Sequence, residues 1–161
     1  MAVATVHADS FREWNIYDEE DQVAGLIRPV WDIGDRQFSE WQFDFGSYSG
    51  RIRLLFADNP NQWDFSGNGE RYTARTRWQN DFTEWEVTGQ GVRIIWRATH
   101  PLIRAEWVAT RSSVGEVAIF TTFEGDYRDW SSSDQLHEDV SPQLKIFLFF
   151  ITLFHSTLLV R

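Results

Sequence analysis

Seven arginines recur two or four positions apart in three short stretches, a spacing that can set guanidinium forks on one strand face for an oxyanion. In RIRLLF (51–56), Arg51 and Arg53 alternate with Ile52, Leu54 and Phe56. In RYTARTRW (71–78), Arg71, Thr73, Arg75 and Arg77 alternate with Tyr72, Ala74, Thr76 and Trp78. In VRIIWRA (92–98), Arg93, Ile95 and Arg97 alternate with Ile94 and Trp96. Period-two alternation marks a strand with one face for the core and one for water. If these strands are neighbours, their outward faces form an arginine stripe suited to phosphate or carboxylate. A competing reading pairs the same arginines with Glu84, Glu86 and Glu106 across strands, each pair worth under about 1 kcal/mol. The net charge of -9 weighs toward pairing.

Other chemistries find less support. His7, His100, His137 and His155 are scattered, without HxH or HxxxH spacing, so no metal site and no cofactor are expected. Glu84 and Glu86 flank Trp85, and Asp126 and Asp129 follow Gly125, but carboxylates of this kind are by default solvated strand faces and turns. Ser10, Ser131, Ser132 and Ser133 have no nucleophile context, and SSSD (131–134) reads as a turn. There is no GxSxG, P-loop or GxGxxG. Cysteine is absent, which excludes disulfides, thiolate ligands and a cysteine nucleophile. Lys145 is the only lysine. The acidic balance opposes general nucleic-acid binding, which needs excess cations. The first residues, MAVATVHADSFREW, have no apolar core behind positive charge, so no signal peptide is expected.

The elements that must position these residues are strands in hairpins. Turn residues recur at short intervals: DEEDQ (18–22), DIGD (32–35), FGSYSG (45–50), DNPNQ (58–62), SGNGE (66–70), TGQG (88–91), THP (99–101) and RSSVG (111–115). A loose unit repeats, in which tryptophan and an apolar strand lead through a polar turn to a second apolar strand. It starts at Trp14, Trp41, Trp85 and Trp107 with irregular spacing, which disfavours a solenoid or propeller. The expectation is a mainly β fold, a closed antiparallel barrel of about ten to twelve strands between residues 11 and 130. A flexible tail, 1–9, precedes a single domain, 10–161.

The chain closes on LKIFLFFITLFHSTLLVR (144–161), which between Lys145 and Arg161 is apolar all round except at Thr152, His155, Ser156 and Thr157. Asp139, Val140, Ser141 and Pro142 form a helix-start signature. The run from Ile146 to Val160 is 15 residues, short of the roughly 20 a membrane span needs. Burial of a helix over about 142–158 inside the barrel is therefore expected, with a tail anchor as the alternative.

Hairpin units such as Trp14-x-Ile-x-Asp leading to Val23, and Trp85-x-Val leading to Val92, precede Gly125-Asp126-Tyr127 and the capped hydrophobic helix. In this order they resemble the tubby C-terminal-like fold, and most closely its LURP-one-related and phospholipid-scramblase-like branch. The resemblance covers nearly the whole chain. It implies a helix along the barrel axis and a role at membranes, in lipid handling or in signalling. Tubby proteins bind phosphoinositides through basic barrel residues. The calcium-binding and palmitoylated segments of scramblases have no counterpart here.

The expected function is thus a non-enzymatic binding or scaffold protein, cytoplasmic and peripheral at membranes. Its partner would be an anionic lipid or another anion, contacted by Arg51, Arg53, Arg71, Arg75, Arg77, Arg93 and Arg97. A carbohydrate-binding module that stacks exposed tryptophans on sugars is the alternative.

Overall fold

The computed structural model describes residues 1–31, 38–56 and 58–158. The DIGD turn and residues 159–161 lie outside that set. Twelve strands close into an antiparallel barrel in chain order: β1 Ala2–Thr5, β2 Trp14–Tyr17, β3 Val23–Pro29, β4 Glu40–Phe45, β5 Tyr48–Phe56, β6 Asn59–Gly67, β7 Glu70–Thr76, β8 Glu84–Gly89, β9 Val92–Ala98, β10 Glu106–Thr110, β11 Gly115–Thr121 and β12 Asp129–Leu136. Helix α1, Pro142–Leu153, continues as a π-helical turn, Phe154–Leu158.

One fully buried tryptophan stands on each even-numbered strand: Trp14, Trp41, Trp63, Trp85, Trp107 and Trp130. Trp63 and Trp130 complete the repeat, and from Trp41 onward the intervals are 22, 22, 22 and 23 residues. Four of these indoles lean on an aromatic residue three positions earlier. Trp14, Trp41, Trp85 and Trp130 donate their Nε1–H to the carbonyls of Phe11, Phe38, Phe82 and Tyr127 at 2.9, 3.0, 2.9 and 2.8 Å. Pro60 and Arg104 occupy that position before Trp63 and Trp107, and there the indoles turn inward. Trp63 donates to His155 Nε2 at 3.3 Å and Trp107 to Ser156 Oγ at 2.9 Å. Trp96 of β9 donates to Thr152 Oγ1 at 3.0 Å. Three of the four polar residues that interrupt the apolar run, Thr152, His155 and Ser156, are therefore the acceptors for buried indoles of the wall, which a buried N–H requires, while Thr157 Oγ1 donates to the Leu153 carbonyl at 2.6 Å.

The helix lies inside the barrel. Its residues from Gln143 to Leu144 and from Ile146 to Thr157 are buried, against Trp41 and Phe65 on one side and Trp85, Trp96 and Trp107 on others. No helix among the described residues is long and apolar enough to cross a membrane. The Ser141 side chain accepts from Gln143 N–H at 3.2 Å, and Pro142 opens the first turn. Glu70, at the β6–β7 turn, then latches the helix start. It accepts from Ser141 Oγ at 2.8 Å, from Gln143 Nε2, and from the Tyr72 phenol at 3.0 Å. Burial, then Glu70, push the Tyr72 phenol up. Lys145 extends to Asp134 on β12 at 2.6 Å. Glu70→Ala should lower the unfolding free energy by about 2–3 kcal/mol, since charge-assisted hydrogen bonds at a partly buried site are lost. Urea denaturation measures it, and an unchanged midpoint would contradict the latch.

Three sequence expectations need correction. The first residues are not a tail: Ala2–Thr5 is the seam strand, with fully buried Val3 facing Ile16 and Trp130, and without it the barrel would be left with an open edge. SSSD lies within β12 rather than in a turn, because its polar side chains find partners. Ser132 Oγ donates to the Met1 carbonyl at 2.8 Å, and Asp134 holds Lys145. Most of DNPNQ belongs to β6. Pro60 is tolerated beside the register shift between Leu54 and Phe56, and Asn61 Oδ1 binds Thr76 Oγ1 and Asn80 N–H at 2.8 and 2.7 Å.

The two ends of the barrel differ. At the turn end, hairpins close on pairs such as Asn68-Gly69 and Gln90-Gly91, all at positive φ, which suits two-residue turns. The helix enters there. At the loop end, odd strands join the next even strand through five connections of seven to ten residues and a two-residue β5–β6 connection, and the helix finishes among them, with Arg104 Nη1 donating to the His155 carbonyl at 2.9 Å.

Candidate functional site

The arginines point outward from β5, β7 and β9, with Arg77 one residue past β7. These strands are not neighbours. β6 and β8 lie between them and bring carboxylates, so the seven do not form a continuous stripe. Arg77 pairs with Glu84 at 3.0 Å, Arg93 with Glu86 at 3.3 Å, and Arg51 approaches Glu40 at 3.9 Å. Arg75 stands opposite Glu86 and Arg97 opposite Glu84. Arg53 sits between Glu40 and Asp64. Glu106 faces Phe120 instead of an arginine.

One register row is different. Arg28 stands opposite Gln42, Gln42 opposite Arg51, Arg51 opposite Ser66, and Ser66 opposite Arg71. The row crosses β3 to β7 without a carboxylate in it. Its arginines fall on alternate strands, about 10 Å apart by strand spacing, within converging reach of one another's side chains. Neutral hydrogen-bonding groups, an amide and a hydroxyl, fill the positions between. Two depressions open along this face, and Arg51 lines the first of them. The first, of about 340 Å³, is also lined by Arg28, Gln42 and Asp44, and the other, of about 150 Å³, by Arg53, Ser66, Arg71 and Asp64. Asp64 is engaged by Thr73 Oγ1 at 3.3 Å.

The remaining candidates are committed elsewhere. Asp126 takes Arg128 Nε and Nη2 at 2.9 and 3.1 Å, and these bonds hold its carboxyl below the usual range. Asp129 accepts from Thr122 Oγ1 at 2.7 Å. Among the described residues, no three His, Asp or Glu side chains gather as metal ligands. His155 is fully buried in the barrel. Seven of the nine tryptophans are inside, which leaves Trp31 and Trp78 for any sugar stacking.

Sequence reasoning missed Arg28, Gln42 and Ser66, which join the row only through strand register. Part of the signal was present: a two-residue turn at Gly46-Ser47 fixes Gln42 opposite Arg51, and Asn68-Gly69 fixes Ser66 opposite Arg71. No family model, curated protein or solved structure matches the chain.

Proposed function

We propose that the chain is a binding protein for an oxyanion of the phosphate or sulfate class, held on the outer face at Arg51, Ser66 and Arg71. The observation that carries this is the register row from Arg28 to Arg71, in which no carboxylate stands directly opposite an arginine, whereas Arg53, Arg75 and Arg97 each stand directly opposite an acid. Guanidinium forks, an amide and a hydroxyl supply donors in planar geometry, which matches tetrahedral oxyanions. These groups exchange no protons near neutral pH, so binding rather than catalysis is the role they fit. The reading also accords with the anion-binding role that the tubby-like resemblance implies.

Calorimetry with pyrophosphate and with sulfate, beside flotation on vesicles carrying anionic lipid, separates a soluble anion from a lipid headgroup. Arg51→Ala with Arg71→Ala should weaken whichever binding is seen by about tenfold or more, since each lost charge-assisted bond is worth roughly 1.5 kcal/mol. Neither ligand binding, or binding that survives both substitutions, would refute the site.

A further inference from the structure

Beyond the arginine row, at the loop end, β5, β6 and β7 carry a cluster of amides with Asn61 at its hub. Asn61 Nδ2 donates to Asn59 Oδ1 at 2.8 Å and to Asn80 Oδ1 at 3.0 Å. Its Oδ1 accepts from Thr76 Oγ1 and the Asn80 N–H at 2.8 and 2.7 Å. The whole hydrogen-bonding capacity of that side chain is thus engaged. Because the oxygens of Asn59 and Asn80 are held, each amide is oriented, and its NH2 group has no partner among the described residues. The side-chain amides of Gln62 and Gln79 make no hydrogen bond among the described residues either. A depression of about 240 Å³ opens here, its lining including Phe56, Asn59, Gln62, Arg75 and Gln79. Phe56 is 58% exposed, and among the described residues no carboxylate lines the depression. Glu86, opposite Arg75, is paired with Arg93 at 3.3 Å.

We propose that this depression binds a neutral sugar, a pyranose ring of an oligosaccharide or polysaccharide, laid against Phe56. A pyranose ring has an apolar face of C–H groups and a rim of hydroxyls, each able to donate and to accept. An exposed phenyl ring covers the apolar face and asks for no hydrogen bond in return. Amides match the rim, because each carries a donor and an acceptor at fixed spacing and can engage adjacent hydroxyls. The NH2 groups of Asn59 and Asn80 add donors that Asn61 already holds in place, so little ordering remains to be done on binding. Arg75 adds a further donor fork. The size agrees: pockets for larger ligands hold roughly 300–1,000 Å³, and this smaller one suits a single ring whose neighbours stay in solvent.

The charge balance selects a neutral ligand. A lone guanidinium among neutral amides, with Glu86 beside it, is a poor match for phosphate, and binding should depend weakly on salt. A nucleobase could stack on the same ring, but the phosphates of a nucleic acid would meet a single cation. The site is also distinct from the oxyanion row. Gln62 stands opposite Arg75, and Ser66 opposite Arg71, four residues further along β6, about 13 Å away by strand rise. Tryptophan is not the stacking residue in this arrangement. Trp78 precedes Gln79 in the chain and is 62% exposed, but the ring that lines the depression is Phe56.

An array of neutral gluco-, manno-, galacto- and xylo-oligosaccharides, with calorimetry on those retained, tests the site. Co-sedimentation with insoluble cellulose, mannan and xylan separates a polymer surface from a free oligosaccharide. At least one of these sugars should bind. Phe56→Ala with Gln79→Ala should weaken that binding at least about tenfold, since a stacking surface and a hydrogen bond are lost together. Both side chains are exposed, so the melting temperature should hold. Gln79→Ala alone should show a smaller loss in the same direction, which covers the case in which the double variant melts early. Arg51→Ala with Arg71→Ala should bind sugar as before, and Phe56→Ala with Gln79→Ala should leave pyrophosphate binding unchanged, so failure of one site is distinguishable from failure of the other. Absence of binding across the array, or equal binding by the variants, overturns the proposal. So does tighter binding of adenosine than of any of these sugars, which would assign the ring and the amides to a nucleobase.

Discussion

Ending the chain at Val140 is expected to abolish cooperative folding. A barrel of about eight strands can fill itself with side chains, but wider ones enclose space. Here twelve strands leave an axis that only the helix fills. Removing it strips partners from Trp41, Phe65 and Trp85, and leaves the indole N–H groups of Trp63, Trp96 and Trp107 without acceptors. Each unsatisfied buried donor costs about 1–3 kcal/mol, and the channel itself costs more than a domain's usual stability of about 5–15 kcal/mol. A graded version is Phe150→Ala. That ring meets Trp41 at 5.4 Å and Trp63 at 4.8 Å, both edge-on, and its loss should cost about 3–5 kcal/mol. Near-ultraviolet dichroism and thermal melts measure both. A sharp melt retained by the truncated chain would mean that the barrel holds itself up and the helix is an appendage.

The fold was legible in the sequence where local chemistry decided it. Alternation named the strands, Ser141 and Pro142 named the helix start, and the shortness of the apolar run put the helix inside. The regular repeat was hidden for one reason in two places. DNPNQ directly precedes Trp63 and SSSD directly follows Trp130, and both were read as turns. Their polar residues are ordinary turn formers until a tertiary partner is known, and the partners, Asn80, Met1 and Lys145, are distant in sequence. With those two units restored, the interval is a regular 22 or 23 residues from Trp41 onward.

The candidate surfaces were legible only by halves. Alternation placed each arginine on the outer face of its own strand, but which residues meet across the wall is a matter of register. Hairpins with two-residue turns transmit register from sequence, whereas the β5–β6 connection, with its shift between Leu54 and Phe56, does not. Hence Arg51 opposite Ser66 was out of reach. The exposure of Phe56 and Trp78 was masked by the same parity rule. Phe56 and Trp78 continue the inward alternation of β5 and β7, yet by those residues the wall has run out and the side chains stand in solvent.

Acid should destabilise the barrel from its centre, through His155. Nε2 accepts the Trp63 indole at 3.3 Å, which places the imidazole proton on Nδ1, and Nδ1 has no hydrogen-bond partner among the described residues. The ring lies flat against Phe82, 5.5 Å away, and 4.7 Å from Trp85. Burial, then the Arg104 guanidinium, hold its pKa well below the ordinary 6.5. Protonation would put two cations together and turn the Nε2 acceptor into a donor facing a donor. In the unfolded chain the same imidazole protonates freely, so below about pH 6.5 the unfolded state binds more protons than the folded one. The stability this neutral histidine contributes is complete above that pH and is lost as pH falls toward the folded value. Its slope is at most about 1.4 kcal/mol per pH unit for one proton. His155→Leu should flatten the curve between about pH 6.5 and 5, a window set by the ordinary imidazole and carboxylate values. It should also cost about 1–3 kcal/mol at every pH, because the Trp63 N–H loses its acceptor. Urea melts across that window, on both proteins, separate the two effects. Parallel curves would show that His155 does not titrate on unfolding, and that acid acts on the barrel elsewhere.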